Sequence, residues 1–159
     1  MPISWPDQKP VALAFVVCAE YYDLFPAARA FTPANVPGGF GRAPYPDFRA
    51  FSMREYGNRV GIFRLIQALA AHGLRASLAV DAGVLRECPE VAPQAIAAGW
   101  DVIGHGLSVT DVISEHLSEQ EERDYLSRAL DALRHCVPGA VRGWHGPEYG
   151  QSSRTPALL

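Results

Sequence analysis

Cysteine is scarce in this chain: Cys18, Cys88 and Cys136 stand far apart among 159 residues. So scattered and odd a set builds neither a disulfide framework nor a Cys-x-x-Cys metal site, and it points to a reducing, cytoplasmic compartment. An excess of either charge is also missing. Fourteen Lys and Arg against seventeen Asp and Glu leave −3 at pH 7. That balance excludes a strongly basic nucleic-acid binder and argues against a ligand of anionic membranes. Long hydrophobic runs are absent too. Residues 11–19 (VALAFVVCA) make a nine-residue apolar run, too short to span a bilayer. Before it stand Pro2, Pro6, Asp7 and Pro10 with Lys9 as the one positive charge, a poor secretory leader. Val17, preceding Cys18, is not the small residue of a lipoprotein cleavage site. Internal repeats are lacking as well.

What is present suits a globular domain. With 48% hydrophobic and 19% charged residues, the chain is apolar enough to bury a core and too weakly charged for disorder. The length suits one domain over residues 1–159. Residues 11–17, rich in β-branched and aromatic side chains, read as a strand covered on both faces. Residues 21–56 follow as a long Pro/Gly-rich loop, with Pro26, Pro33, Pro37, Gly38, Gly39, Gly41, Pro44 and Pro46 among its members. Its aromatics, such as Phe25 and Phe51, favour an ordered loop packed on the body.

From Asn58 the period becomes helical, through Ile62, Phe63, Ile66 and Leu69, and Gly73 stands where a C-terminal cap belongs. Residues 75–80 predict a strand, 89–98 a helix ended by Gly99, and 100–103 a third strand. Ser118 and Glu121 have the spacing of a capping box. Behind them Leu126, Leu130, Leu133 and Val137 line one face of a helix ending at Pro138 and Gly139. Residues 141–144 complete the pattern as a fourth strand. Such alternation predicts an α/β fold with parallel strands and right-handed crossovers.

Parallel α/β folds gather their chemistry where strands end. Glu20, with Asp23 beyond it, follows the first strand. His105, between Gly104 and Gly106, follows the third, and Arg142, Trp144, His145 and Glu148 cluster at the fourth. Two histidines and a carboxylate from three strand ends can converge to bind a divalent metal or to run general acid–base catalysis. His72 and His135, near helix C-termini, answer to the macrodipole instead.

These residues carry a resemblance. Arg54-Glu55-Tyr56-Gly57-Asn58-Arg59-Val60-Gly61, then 99–106 (GWDVIGHG) and 142–147 (RGWHGP), are similar to segments of the polysaccharide deacetylase superfamily, in the expected order. Within it the chain most resembles the allantoinase-like branch. The resemblance implies the N-terminal portion of a distorted (β/α) barrel, with four parallel strands and intervening helices. It also implies hydrolysis of carbon–nitrogen bonds other than peptide bonds, in small amides, ureides or N-acetyl sugars.

The strand-end reading and the resemblance together make Glu20, His105 and His145 the catalytic candidates, and Glu55, Tyr56, Arg59, Arg142 and Trp144 the substrate-positioning ones. The superfamily's paired aspartates are replaced by Val17-Cys18-Ala19-Glu20, and its second metal histidine, four residues beyond His105, is Val109. Glu20 and His105 therefore remain as an incomplete ligand pair, and one divalent zinc ion or no metal are equally open. The competing reading is a non-catalytic binding or structural domain. Since a closed (β/α) barrel takes about 250 residues, the chain is expected to be about half of one, truncated at its C-terminus. An open sheet edge would invite homo-oligomerisation.

Overall fold

The computed structural model describes residues 5–27, 30, 46–137, 139 and 141–159. Three short parallel strands form one sheet in the order β1 (Val16–Ala19), β2 (Ser77–Val80), β3 (Asp101–Gly104). Val16, Ser77 and Asp101 stand side by side, as do Ala19, Val80 and Gly104, so the three strands end level with one another. The central strand is covered on both faces: Leu78, Ala79 and Val80 are fully buried.

Helices supply the cover. Helix α1 (Phe48–Tyr56) begins where the Asp47 carboxylate accepts the Ala50 N–H at 3.0 Å. It passes through a π-turn at Gly57–Gly61 into α2 (Ile62–Ala71). Gly73, at φ 65°, ends α2, and the N–H groups of Gly73 and Leu74 return to the carbonyls of Ala70 and Leu69. Helix α3 (Ala82–Glu87) starts on Asp81, α4 (Val91–Ala97) follows, and α5 (Glu119–Cys136) opens on the expected capping box of Ser118 and Glu121. Ile62, Ile66, Val84, Val91, Ala95 and Leu133 from these helices meet Leu78, Val80 and Val102 of the sheet in one core. Truncating a residue as buried as Leu78 to alanine costs about 2–5 kcal/mol.

The last segment is fastened by a buried acid. The fully buried Glu122 of α5 accepts hydrogen bonds from Ser152 Oγ (2.7 Å), Thr155 Oγ1 (2.5 Å) and Arg154 Nε (3.3 Å). That contact holds the short helix α6 (Thr155–Leu158) on α5.

Three expectations are corrected and one helix is added. The first strand occupies Val16–Ala19 rather than 11–17. Val11 and Leu13 are 71% and 77% exposed, because β1 is the sheet edge among the described residues and apolarity alone does not supply a covering neighbour. The fourth strand reduces to one parallel bridge between Gly104 and Trp144, since the chain turns away at Gly146 and Pro147 into a 3-10 turn. The loop expected over 21–56 ends in helix α1, nucleated by the Asp47 cap; its residues 28–29 and 31–45 lie outside the described residues. Helix α3 was hidden in a stretch too short to show a period, six residues after Asp81. Among the described residues, no helix is long and apolar enough to cross a membrane.

Candidate functional site at three strand ends

Side chains alternate along a strand. Val17 and Ala19 pack into the core, which turns Cys18 and Glu20 to the opposite side of β1. The chain leaving β1 is pinned twice. Tyr21 N–H donates to Asp81 Oδ2 at 2.6 Å, and the Asn58 side-chain amide donates to the Glu20 carbonyl at 2.8 Å. The second bond explains the π-turn: its extra residue places Asn58 inward, 5% exposed, while its neighbours face solvent.

At the end of β3, His105 N–H donates to the Val80 carbonyl at 3.1 Å, and its ring is fully buried. Gly106 follows at φ 83°, and a Cβ there would strike the Tyr125 hydroxyl and the Pro147 ring. Only glycine lets the chain turn away from His105 in that space. The carbonyls of Gly106 and Leu107 then accept the first N–H groups of α3, from Ala82 and Gly83, both at 3.0 Å. On the far side, His145 N–H donates to the Gly104 carbonyl at 2.8 Å.

The three predicted catalytic candidates converge. His105 Nε2 lies 3.1 Å from Glu20 Oε1, and its Nδ1 lies 2.5 Å from the His145 carbonyl and 3.3 Å from His145 Nδ1. The two imidazole rings are 5.0 Å apart, and His145 meets the Tyr149 ring at 5.2 Å. Arg54 reaches toward Glu20 Oε2 at 3.9 Å while its guanidinium lies over Tyr22.

The electrostatics follow from these contacts. The bond to His105 holds the Glu20 carboxyl below its usual value, against the upward push of burial. Burial alone would lower His105, but its bonds to Glu20 and to the His145 carbonyl outweigh that and raise it. His145 is lowered, first by burial and then by the neighbouring His105 charge. Burial, then Glu20, raises the Cys18 thiol. Asp81, fully buried, is pushed up to about 8 by burial, although it accepts N–H groups from Tyr21 and Val84.

Glu20 opens onto a cavity of about 350 Å³ whose lining includes Cys18, Arg54, Asn58, Ile62 and Leu65. The predicted substrate-positioning residues stand elsewhere. Glu55 and Arg59 pair with each other at 2.7 Å, and the Tyr56 hydroxyl accepts from Arg64 Nη1 at 2.8 Å. Arg142 and Trp144 line a different cavity, of about 450 Å³, with Leu130, Val141 and Leu159. The Trp144 ring abuts Gly104, where a Cβ would come within 2.7 Å of it.

Residues that sequence reasoning missed are Cys18, Arg54, Asn58 and Asp81. Cys18, His105 and His145 each offer a donor atom, and the three atoms lie within 4.8 Å of one another. The signal available for Cys18 was its position two residues before Glu20, which puts both on one face of a strand.

No protein-family model and no curated protein sequence matches the chain. Solved structures do. An allantoinase, PuuE, superposes with a TM-score of 0.82 at 20% identity over 99% of this chain and 53% of its own. A protein of Pseudomonas aeruginosa PAO1, described as a probable polysaccharide deacetylase, gives 0.80 at 21% over 97% and 52%. A CE4-family pseudoenzyme of Bacillus anthracis gives 0.58 at 20% over 64% and 35%. The chain thus spans about half the length of the first two. It has the fold of the polysaccharide deacetylases and allantoinase, as a portion of their (β/α) domain.

Proposed function

We propose that this chain contributes to the hydrolysis of carbon–nitrogen bonds in small amides, ureides or N-acetyl sugars. The observation that carries the reading is the contiguous Glu20–His105–His145 array at the level ends of the strands. Glu20, 30% exposed and held ionised by His105, is the base that takes a proton from an attacking water. His105, protonated between Glu20 and the His145 carbonyl, steadies the oxyanion that forms at the substrate carbonyl. His145, lowered by burial and by the His105 charge, takes that proton over from Glu20 and passes it to the leaving nitrogen, so the proton lost by the water is the one the amine leaves with. The cavity beside Glu20 has room for a small planar amide, and Arg54 at its wall suits a polar carbonyl group.

His105 and His145 would hold a divalent ion, zinc among them, only in place of the His105 proton, and such an ion would then supply the polarisation of the carbonyl that the protonated ring otherwise gives. The three free thiols support a cytoplasmic setting. The exposed apolar residues Val11, Leu13 and Val16 beside the sheet edge support association with a second copy.

A non-catalytic reading has its own observation. Val109 is a buried core residue, 1% exposed, where the superfamily resemblance calls for a second metal histidine. Similarity to a CE4 pseudoenzyme, one variant of which is described as having restored activity, keeps both readings concrete. A hydrolysis screen with allantoin, related ureides and N-acetylated sugars, with and without chelator, decides between them. Turnover abolished by Glu20→Gln supports the hydrolase. No turnover with any of these substrates supports the binding domain.

A further inference from the structure

The sulfur of Cys18 changes what the strand-end cluster can hold. Among the described residues, Cys18, His105 and His145 form one group of three potential donors lying within 4.8 Å of one another. Tetrahedral zinc, with Zn–N of about 2.0–2.1 Å and Zn–S of about 2.3 Å, sets its donors about 3.3–3.8 Å apart. The His145 carbonyl, 2.5 Å from His105 Nδ1, occupies that ring nitrogen and leaves Nε2 as the one to face an ion. Side-chain rotation of the solvent-exposed Cys18 covers the remaining difference of about 1 Å.

The surroundings suit a ligand set. A metal-bound histidine keeps its other ring N–H on a carboxylate or a backbone carbonyl. His105 has both: Glu20 Oε1 faces one ring nitrogen and the His145 carbonyl faces the other. With an ion on Nε2, Nδ1–H stays on the His145 carbonyl. Glu20 is outside the three-donor group and stays available as an orienting carboxylate. The backbones of all three donors are fixed, Cys18 and His105 by the sheet and His145 by its bond to Gly104. Three protein donors with a fourth position open is the arrangement of a reactive rather than a purely structural site.

We propose that Cys18, His105 and His145 form a mixed thiolate–imidazole site for one zinc-like ion. Its sulfur selects zinc or cobalt over magnesium, calcium and manganese, which take oxygen donors. The site deepens the hydrolase reading and rests on it only for its use, because binding is measurable without turnover. Hydrolysis without binding would overturn the site alone, and binding without hydrolysis would overturn the hydrolase alone.

The test is a titration of the metal-free full chain with Co2+. One equivalent is expected to bind with a thiolate-to-cobalt charge-transfer band in the near ultraviolet. Zn2+ should displace it, and excess Mg2+ should not. The band should vanish in Cys18→Ser and persist in Cys88→Ser and Cys136→Ser, while Glu20→Gln weakens binding about 10- to 100-fold. A band absent from the wild-type chain, or one that survives Cys18→Ser, overturns the site. A second measurement needs no variant: Zn2+ should slow iodoacetamide alkylation of Cys18 at least tenfold and leave the exposed Cys136 unaffected. Equal alkylation of Cys18 with and without Zn2+ overturns the site as well.

Discussion

His105 Nε2 stands 3.1 Å from Glu20 Oε1, across the full width of the sheet from β3 to β1. That pair ties the first strand end to the third, and the proposed hydrolysis would depend on it. Glu20→Gln keeps a partner for the ring but removes the base, and should lower the hydrolysis rate at least about 100-fold. His105→Ala should cost at least as much. Initial rates on whichever amide the screen identifies provide the check, and unchanged turnover in either variant would sink the assignment.

The two histidines should titrate on opposite sides of their common ordinary value near 6.5. In metal-free protein, His105 is raised and His145 lowered. Proton-detected NMR of the ring signals should show His145 losing its proton first as pH rises. In Glu20→Gln, His105 should move downward, since its main favourable partner is gone. The sign for stability follows: a raised His105 contributes fully below about 6.5 and its contribution drains as pH rises through the folded value. A His105 that titrates below His145 would contradict the geometry.

Glu122→Ala should destabilise the chain by about 2–3 kcal/mol, because the hydroxyls of Ser152 and Thr155 lose their acceptor inside the protein. Glu122→Gln keeps one acceptor oxygen and should cost clearly less. Urea unfolding midpoints separate the two. Equal effects would mean that the charge, rather than the hydrogen bonds, holds the last segment.

Gly106→Ala should cost about 1–3 kcal/mol through the positive φ alone. Crowding against the Tyr125 hydroxyl, which bonds Leu107 N–H and the Asp111 carbonyl, adds to it. Because His105 is the preceding residue, the rate should fall along with thermal stability. A stable variant with normal turnover would show that the turn has slack.

Local chemistry was the most legible part of this chain. The Ser118–Glu121 capping box and the Gly73 stop are decided within a few residues, and both stand as expected. The parallel pairing of the strands also followed from the alternation of strand and helix periods. Burial was harder to read. Residues 11–15 look like the core of a strand, yet Val11 and Leu13 have no partner to cover them among the described residues. Within the site, Glu20, His105 and His145 were visible as polar residues at strand ends. Cys18 was not, because a thiol inside an apolar run carries no polarity signal until strand alternation aligns it with Glu20. Arg142 and Trp144, expected to position substrate, line a separate cavity, and the Trp144 ring abuts Gly104.

Strand β1 is four residues long and, among the described residues, pairs on one side only. It carries Cys18 and runs directly into Glu20, while the two histidines follow β3 and the Trp144 bridge. A single fraying motion of that edge would therefore withdraw the thiol and the carboxylate together. The lifetime of the assembled cluster is then set by how often four backbone hydrogen-bonded residues let go, and amide exchange at Val17 and Ala19 is the clock that reads it.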